Sequence, residues 1–247
     1  GLDLALVSLS SPLGIEYLPA DEAAALLEAY HDGVLALPEP FAAWAAAGLA
    51  EIDPPAVARE LGRGFVGLEL PATALLDATG YERVGPLLEV LERAGRPLLI
   101  HPGPAAVARD APAWWPAVVS YVQQMHAAWF AFRAHGRSRH PGLRVCFAML
   151  AGLAPLHGER FAARAGDRGT VDADAFLEVS SYGAKAVDAT IRAVGIDALV
   201  NGSDRPYAEP VPLELGPAAV SALRSSNALR LLYPKEASRE VPVASPA

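Results

Sequence analysis

Seven short apolar runs dominate this chain, at Leu4–Leu9, Phe41–Ala47, Phe65–Leu70, Leu98–His101, Arg144–Met149, Ala175–Val179 and Ala198–Asn201. Each is too short for a stable helix. Each is followed by a longer stretch with helical periodicity, at about 20–36, 54–62, 82–95, 114–135, 155–165, 184–194 and 216–232. Buried strands alternating with helices argue for βα units on a parallel sheet rather than segregated α and β regions. Helix punctuation agrees: Pro19-Ala20-Asp21 is a good first turn, and Gly95 is a left-handed stop before Pro97. The Phe41–Ala47 strand rests only on its shortness after Pro40, because Ala-rich sequence favours helix.

A chain of 247 residues with 52% hydrophobic content can bury the core of one large α/β domain, expected to span 1–247 with a surface tail at 234–247. Seven units are one short of a closed eight-stranded barrel, and seven strands would also suit an open doubly wound sheet. The turn after the first strand, Ser10-Ser11-Pro12-Leu13-Gly14, lacks the glycine pattern of a dinucleotide fold. The net charge of -8, with no basic run interleaved with aromatics, argues against nucleic acid as a partner. Apolar stretches are broken by Gly, Pro or charge well below the ~18–20 residues that span a bilayer, and the first residues lack a signal peptide's basic region, so no membrane partner is expected. The single Cys146 excludes an internal disulfide and suits a reducing, cytoplasmic setting.

The chemistry-bearing residues stand at strand ends, where parallel α/β folds keep their sites. Pro97-Leu98-Leu99-Ile100-His101-Pro102-Gly103 delivers an imidazole, and Ala198-Leu199-Val200-Asn201-Gly202-Ser203-Asp204-Arg205-Pro206 delivers a carboxylate. A histidine and an aspartate at equivalent strand ends make a plausible pair of metal ligands. Each also has a structural reading, His101 as a strand-end side chain bonded to a loop and Asp204 as a turn cap before Pro206. Glu69, near the end of the third run, reads as a carboxylate that supports a site residue from behind, as a substrate-side carboxylate, or as a solvent-facing residue.

These ordered features resemble the amidohydrolase-2 family, the branch of the amidohydrolase superfamily that holds aminocarboxymuconate-semialdehyde-type and salicylate-type decarboxylases together with hydrolases. The resemblance rests on Leu2–Pro12, on Arg63-Gly64-Phe65-Val66-Gly67-Leu68-Glu69-Leu70, on Leu99-Ile100-His101-Pro102-Gly103 and on Asn201-Gly202-Ser203-Asp204-Arg205-Pro206. It implies a distorted TIM-like (β/α) barrel with one divalent metal, commonly zinc and alternatively manganese, at the C-terminal mouth. His101 would be the third histidine ligand, and Asp204 the last-strand carboxylate that binds metal and moves a proton. The family's His-x-His pair is absent from these 247 residues, so the first βα unit is expected to lie outside them. The family's catalytic histidine in an Ala-His-x-Gly-Gly segment is also missing: Cys146-Phe147-Ala148-Met149-Leu150-Ala151-Gly152 puts Met149 there. A thioether cannot transfer a proton.

The resemblance therefore implies a metal-dependent hydrolase or non-oxidative decarboxylase of a small cyclic or aromatic carboxylate, lactone or amide. The competing expectation is a degenerate barrel with a binding or structural role. His157, after Pro155, is the candidate replacement for the missing histidine, while His31, His126, His135 and His140 read as structural or surface residues. Trp114, Trp115, Tyr121, Met125, Trp129, Phe130 and Phe132 form an aromatic segment that would cover the mouth, make a homodimer contact or pack the core. Arg133, Arg137, Arg139 and Arg144 read either as carboxylate clamps or as a solvated stretch.

Overall fold

Side-chain caps and left-handed stops cut the chain into its units. In the computed structural model, which describes residues 2–106, 108–166 and 171–233, Asp53 accepts the Ala56 N–H at 3.0 Å and so starts α2 (Pro54–Arg63). Asp77 accepts the Gly80 N–H at 2.9 Å and starts α3 (Ala78–Ala94). That cap sets the start of α3 four residues before the expected 82. Gly95 ends α3 at φ 60°, a conformation L side chains rarely adopt, and the chain turns directly into the next strand.

The strands are β1 (Ala5–Val7), β2 (Phe41–Ala43), β3 (Leu68–Pro71), β4 (Leu98–His101), β5 (Val145–Phe147), β6 (Ala175–Glu178) and β7 (Leu199–Val200). The helices between them include α1 (Ala20–Leu35), α4 (Tyr121–Ala131, flanked by π-turns), α5 (Gly158–Ala165) and α6 (Ala184–Val194). After β7 come α7 (Pro217–Ser221) and α8 (Asn227–Leu232). Every pairing is parallel, and the order is that of the sequence: β1 with β2, then β3-β4-β5-β6-β7, joined through the Ala45–Leu68 bridge. An order without reversal is that of a (β/α) barrel and not of a doubly wound sheet, which needs a switch point. Among the described residues β7 pairs only with β6 and β1 only with β2, which leaves that seam of the barrel unclosed.

The expected strand at Phe41–Ala47 shortens to Phe41–Ala43 plus the single bridge at Ala45, and the run at Phe65–Leu70 shifts to Leu68–Pro71. Phe65 is fully buried without being part of the ladder, so its apolar signal reported burial and not strand. The expected tail at 234–247 lies outside the described residues. No helix among them is long and apolar enough to cross a membrane.

Strand alternation divides the core. Leu68, Leu70, Leu98, Ile100, Val145, Phe147 and Leu177 share one large cluster with the inward residues of α3 and α4. The opposite face carries Trp44, Leu99, Cys146, Phe176 and Val200, closed below by Leu231 and Leu232 of α8. By register, Glu69 lies level with Leu99, and Glu178 with Val200. The same alternation puts His101 on this second, inner face, two residues beyond Leu99.

Candidate functional site

At the C-terminal end of the inner face the apolar residues give way to His101, Glu69 and Glu178. His101 ends β4, and its Nδ1 lies 3.0 Å from the Pro102 carbonyl and 3.7 Å from Glu69 Oε1. A carbonyl only accepts, so Nδ1 carries the proton and Nε2 keeps its lone pair, the arrangement a metal ligand or a base requires. Burial lowers the pKa of His101, against opposing contributions from the Pro102 carbonyl and the charge of Asp204. The imidazole is thereby held neutral in the neutral pH range.

Glu69 is wholly buried behind His101, which removes the solvent-facing reading and fits a carboxylate that supports the imidazole. It belongs to a second acidic layer with Ser11 and Glu16, both also fully buried and delivered by the loop after β1. Ser11 Oγ bonds Glu16 Oε1 and lies 3.2 Å from Glu69 Oε1. Glu16 Oε2 and Glu69 Oε2 find no partner among the described residues. Desolvation raises the pKa of both carboxyls, that of Glu69 strongly, with the charge of Glu16 adding to it. The Ser11 hydroxyl and weaker backbone contributions at Glu16 and Leu9 oppose the shift without cancelling it, so burial moves this layer toward its protonated form relative to an exposed pair.

Asp204 follows β7 and is exposed. Its Oδ2 accepts from Ser181 Oγ at 2.5 Å, and both residues have left-handed backbones, with φ 55° at Asp204 and 64° at Ser181. Strain at two neighbouring strand ends, joined by a side-chain bond, fixes the carboxylate on the mouth. The charge of Asp204 opposes the downward shift of the His101 pKa, so the two strand-end candidates act on each other electrostatically.

Glu178 was not singled out by the sequence. It ends β6 and accepts from Ser180 N at 2.7 Å, Ser180 Oγ at 2.5 Å and Met149 N at 3.4 Å, so one carboxylate ties the loop after β5 to the loop after β6. Gly202 gives it room, because a Cβ there would overlap Glu178 Oε1. The available signal was Glu178 two residues before Ser180 at the end of an apolar run. Gln124 was missed as well: from α4 it accepts the Gly103 N–H at 2.8 Å and donates to the Pro104 carbonyl at 2.9 Å, clamping the loop after His101.

Met149 opens a turn in which Met149, Leu150, Ala151, Gly152 and Leu153 have φ of 54, 49, 52, 59 and 62°. Left-handed L residues cost about 1–2 kcal/mol each. Burial of Leu150, Ala151 and Ala154 offsets that cost, and the turn packs tightly on α4. This turn also displaces the start of the expected 155–165 helix to Gly158.

His157, the candidate replacement, is exposed and stands edge-on to His126 at 4.8 Å between ring centroids. Its ring partner, His126, is on α4. The aromatic segment divides between roles, since Met125 and Phe132 are core while Trp114 and Trp115 are 54% and 40% exposed and pair at 5.8 Å. Arg137 and Arg139 are structural clamps. The first holds Asp172 and the carbonyls of His140, Pro141 and Leu143, and the second holds Glu82 and the Ala78 carbonyl.

A catalytic metal commonly has three protein ligands and an open position. Among the described residues no group of three or more His, Cys, Asp or Glu side chains is arranged to hold a metal ion. His101 and Asp204 present a lone pair and a carboxylate, which is an incomplete donor set.

No protein-family model and no curated protein matches the chain by sequence. Solved structures do match by fold. 5-Carboxyvanillate decarboxylase from Novosphingobium aromaticivorans, solved with manganese and a nitrobenzoic acid, superposes with TM-score 0.76 at 17% identity over 94% of this chain and 77% of its own. 2,6-Dihydroxybenzoate decarboxylase from Rhizobium gives 0.71 at 18% identity, covering 94% and 84%. Dihydroxybenzoic acid decarboxylase from Polaromonas, solved with manganese and 2-nitroresorcinol, gives 0.73 at 16% identity, covering 99% and 85%. The chain has the TIM-like barrel fold of these enzymes.

Proposed function

We propose that this protein is a non-oxidative decarboxylase of small aromatic or cyclic carboxylates. The observation that carries the reading is the His101–Asp204 pair on the ends of β4 and β7, with the His101 tautomer set by the Pro102 carbonyl. The fold shared with three aromatic-acid decarboxylases supports it.

Non-oxidative decarboxylation breaks the bond between ring and carboxyl carbon, leaves the electron pair on the ring carbon and needs a proton there as carbon dioxide departs. Asp204, held by Ser181 and exposed at the mouth, is the group that transfers this proton in our reading. His101 presents Nε2 to the mouth as the lone pair that would hold a metal, and Glu69 and the Pro102 carbonyl keep the ring from turning. A divalent ion, manganese as in two of the neighbours or zinc, would be held by His101 and Asp204 together with a further donor. The exposed Trp114–Trp115 pair suits a cover over the mouth or a contact between two copies of the chain.

Met149 and the incomplete donor set favour a second reading, a barrel that binds such acids without turnover. Release of carbon dioxide from a panel of hydroxy- and methoxybenzoates, with manganese or zinc supplied, separates the two. Turnover that falls about 100-fold or more in Asp204→Asn and His101→Ala supports the enzyme. Tight binding of the acids without release of carbon dioxide supports the second reading.

A further inference from the structure

On the opposite, N-terminal face of the barrel a cavity of about 290 Å³ lies where β4, β5 and β6 begin. That volume is at the lower bound of the roughly 300–1,000 Å³ typical of small-molecule pockets. Three guanidinium groups from three separate parts of the chain line it: Arg96 before β4, Arg144 before β5 and Arg230 on α8. In a protein of net charge -8, none of the three forms an ion pair among the described residues.

Their partners are neutral. Arg144 donates to the Gly95 and Leu232 carbonyls. Arg230 donates to the Asp197 and Ala173 carbonyls and to Asn227 Oδ1, and it lies over the Phe176 ring. The Arg96 side chain has no hydrogen bond among the described residues. Two carboxylates share the lining. Glu92 is turned to the Gly142 N–H at 2.6 Å and to His140 at 3.6 Å, and Asp174 acts on Arg144 only at longer range. Arg144 is 8% exposed, and burial followed by the like charge of Arg96 disfavours its charged form against the pull of Asp174. Three arginines lining one half-open pocket, two of them held by carbonyls and the three outnumbering the two carboxylates of the lining, can receive an oxyanion by bidentate contacts.

We infer that this cavity is a binding site for a small phosphate dianion, distinct from the His101–Asp204 mouth and independent of its chemistry. The bound ion would tie together the turn after α3, the lead into β5 and the C-terminal helix α8. These segments are also joined through Arg144 and the Gly95 and Leu232 carbonyls.

The test is calorimetric titration of the full chain with inorganic phosphate at constant ionic strength, maintained with chloride. Wild type should show saturable one-to-one binding. Arg96→Gln, which removes no hydrogen bond from the fold, should raise Kd at least tenfold. Arg192→Gln alters an exposed arginine on α6 paired with Asp188 and should leave Kd unchanged. Absence of saturable binding in wild type, an unchanged Kd in Arg96→Gln, or equal weakening in both variants would overturn the assignment.

Discussion

Two acidic clusters face each other across the mouth of this barrel, and they differ in their supply of donors. On the β3–β4 side, Glu16 and Glu69 share the hydroxyl of Ser11, with weaker backbone contributions at Glu16 and Leu9, and each leaves an oxygen without a partner among the described residues. On the β6–β7 side, Glu178 alone takes two backbone N–H groups and a hydroxyl, while Asp204 takes the hydroxyl of Ser181. Burial raises the pKa of Glu178 as well, but three hydrogen bonds oppose it. The difference teaches that burial alone does not assign a carboxyl its role. A carboxylate rich in donors organises loops, whereas a buried pair with fewer donors is shifted toward its protonated form behind the histidine it supports.

The contrast is tested most severely at Gly202. Gly202→Ala drives a methyl into the buried Glu178 carboxylate and should cost about 3 kcal/mol in urea unfolding, or prevent folding. A cost below about 1 kcal/mol would show that the carboxylate is not locked. Next in size is a pair of isosteric changes. Glu178→Gln turns an amide N–H toward donors and should cost about 2 kcal/mol. Glu69→Gln replaces a carboxyl that is already short of donors and should lie within about 0.5 kcal/mol of wild type near neutral pH. Equal losses in the two variants would erase the distinction.

The smallest effect is in pH dependence. The pKa of Glu16 is raised in the folded state, so the native protein binds more protons than the unfolded chain above about pH 4.5. Its contribution to stability is complete below that pH and is lost as pH rises through the folded-state value. Glu16→Gln should therefore lose less stability than wild type between pH 5 and 7. Parallel stability curves would remove the shift toward the protonated form from the account.

Much of the barrel was legible because strand and helix periods are local. The β4 run Leu98–His101 and the α6 helix at 184–194 stand where the sequence placed them. The Phe41–Ala47 strand was over-read because Trp44 and its alanine neighbours are buried by tertiary packing, which leaves the same apolar signature as a ladder. At the mouth, His101 and Asp204 were legible from Pro and Gly punctuation at strand ends. Glu178, Glu16 and Ser11 were not, since their meaning depends on which distant backbone or side chain meets them. Glu69 was visible but left with three readings for the same reason: alternation indicates a face without saying what covers it, and its burial removes the solvent-facing one. Nothing in Met149-Leu150-Ala151-Gly152-Leu153 announces five successive left-handed residues, because only packing against α4 sustains them.

The central claim is proton delivery to a ring carbon at the His101–Asp204 mouth. Proton NMR of a hydroxybenzoate incubated with the protein and manganese in deuterium oxide reads that step directly. The expected result is a phenol carrying deuterium at the carbon that lost its carboxyl group, with no such product from Asp204→Asn. Recovery of the unchanged acid from folded wild-type protein across the whole panel of acids, or a hydrolysis product in its place, would contradict it.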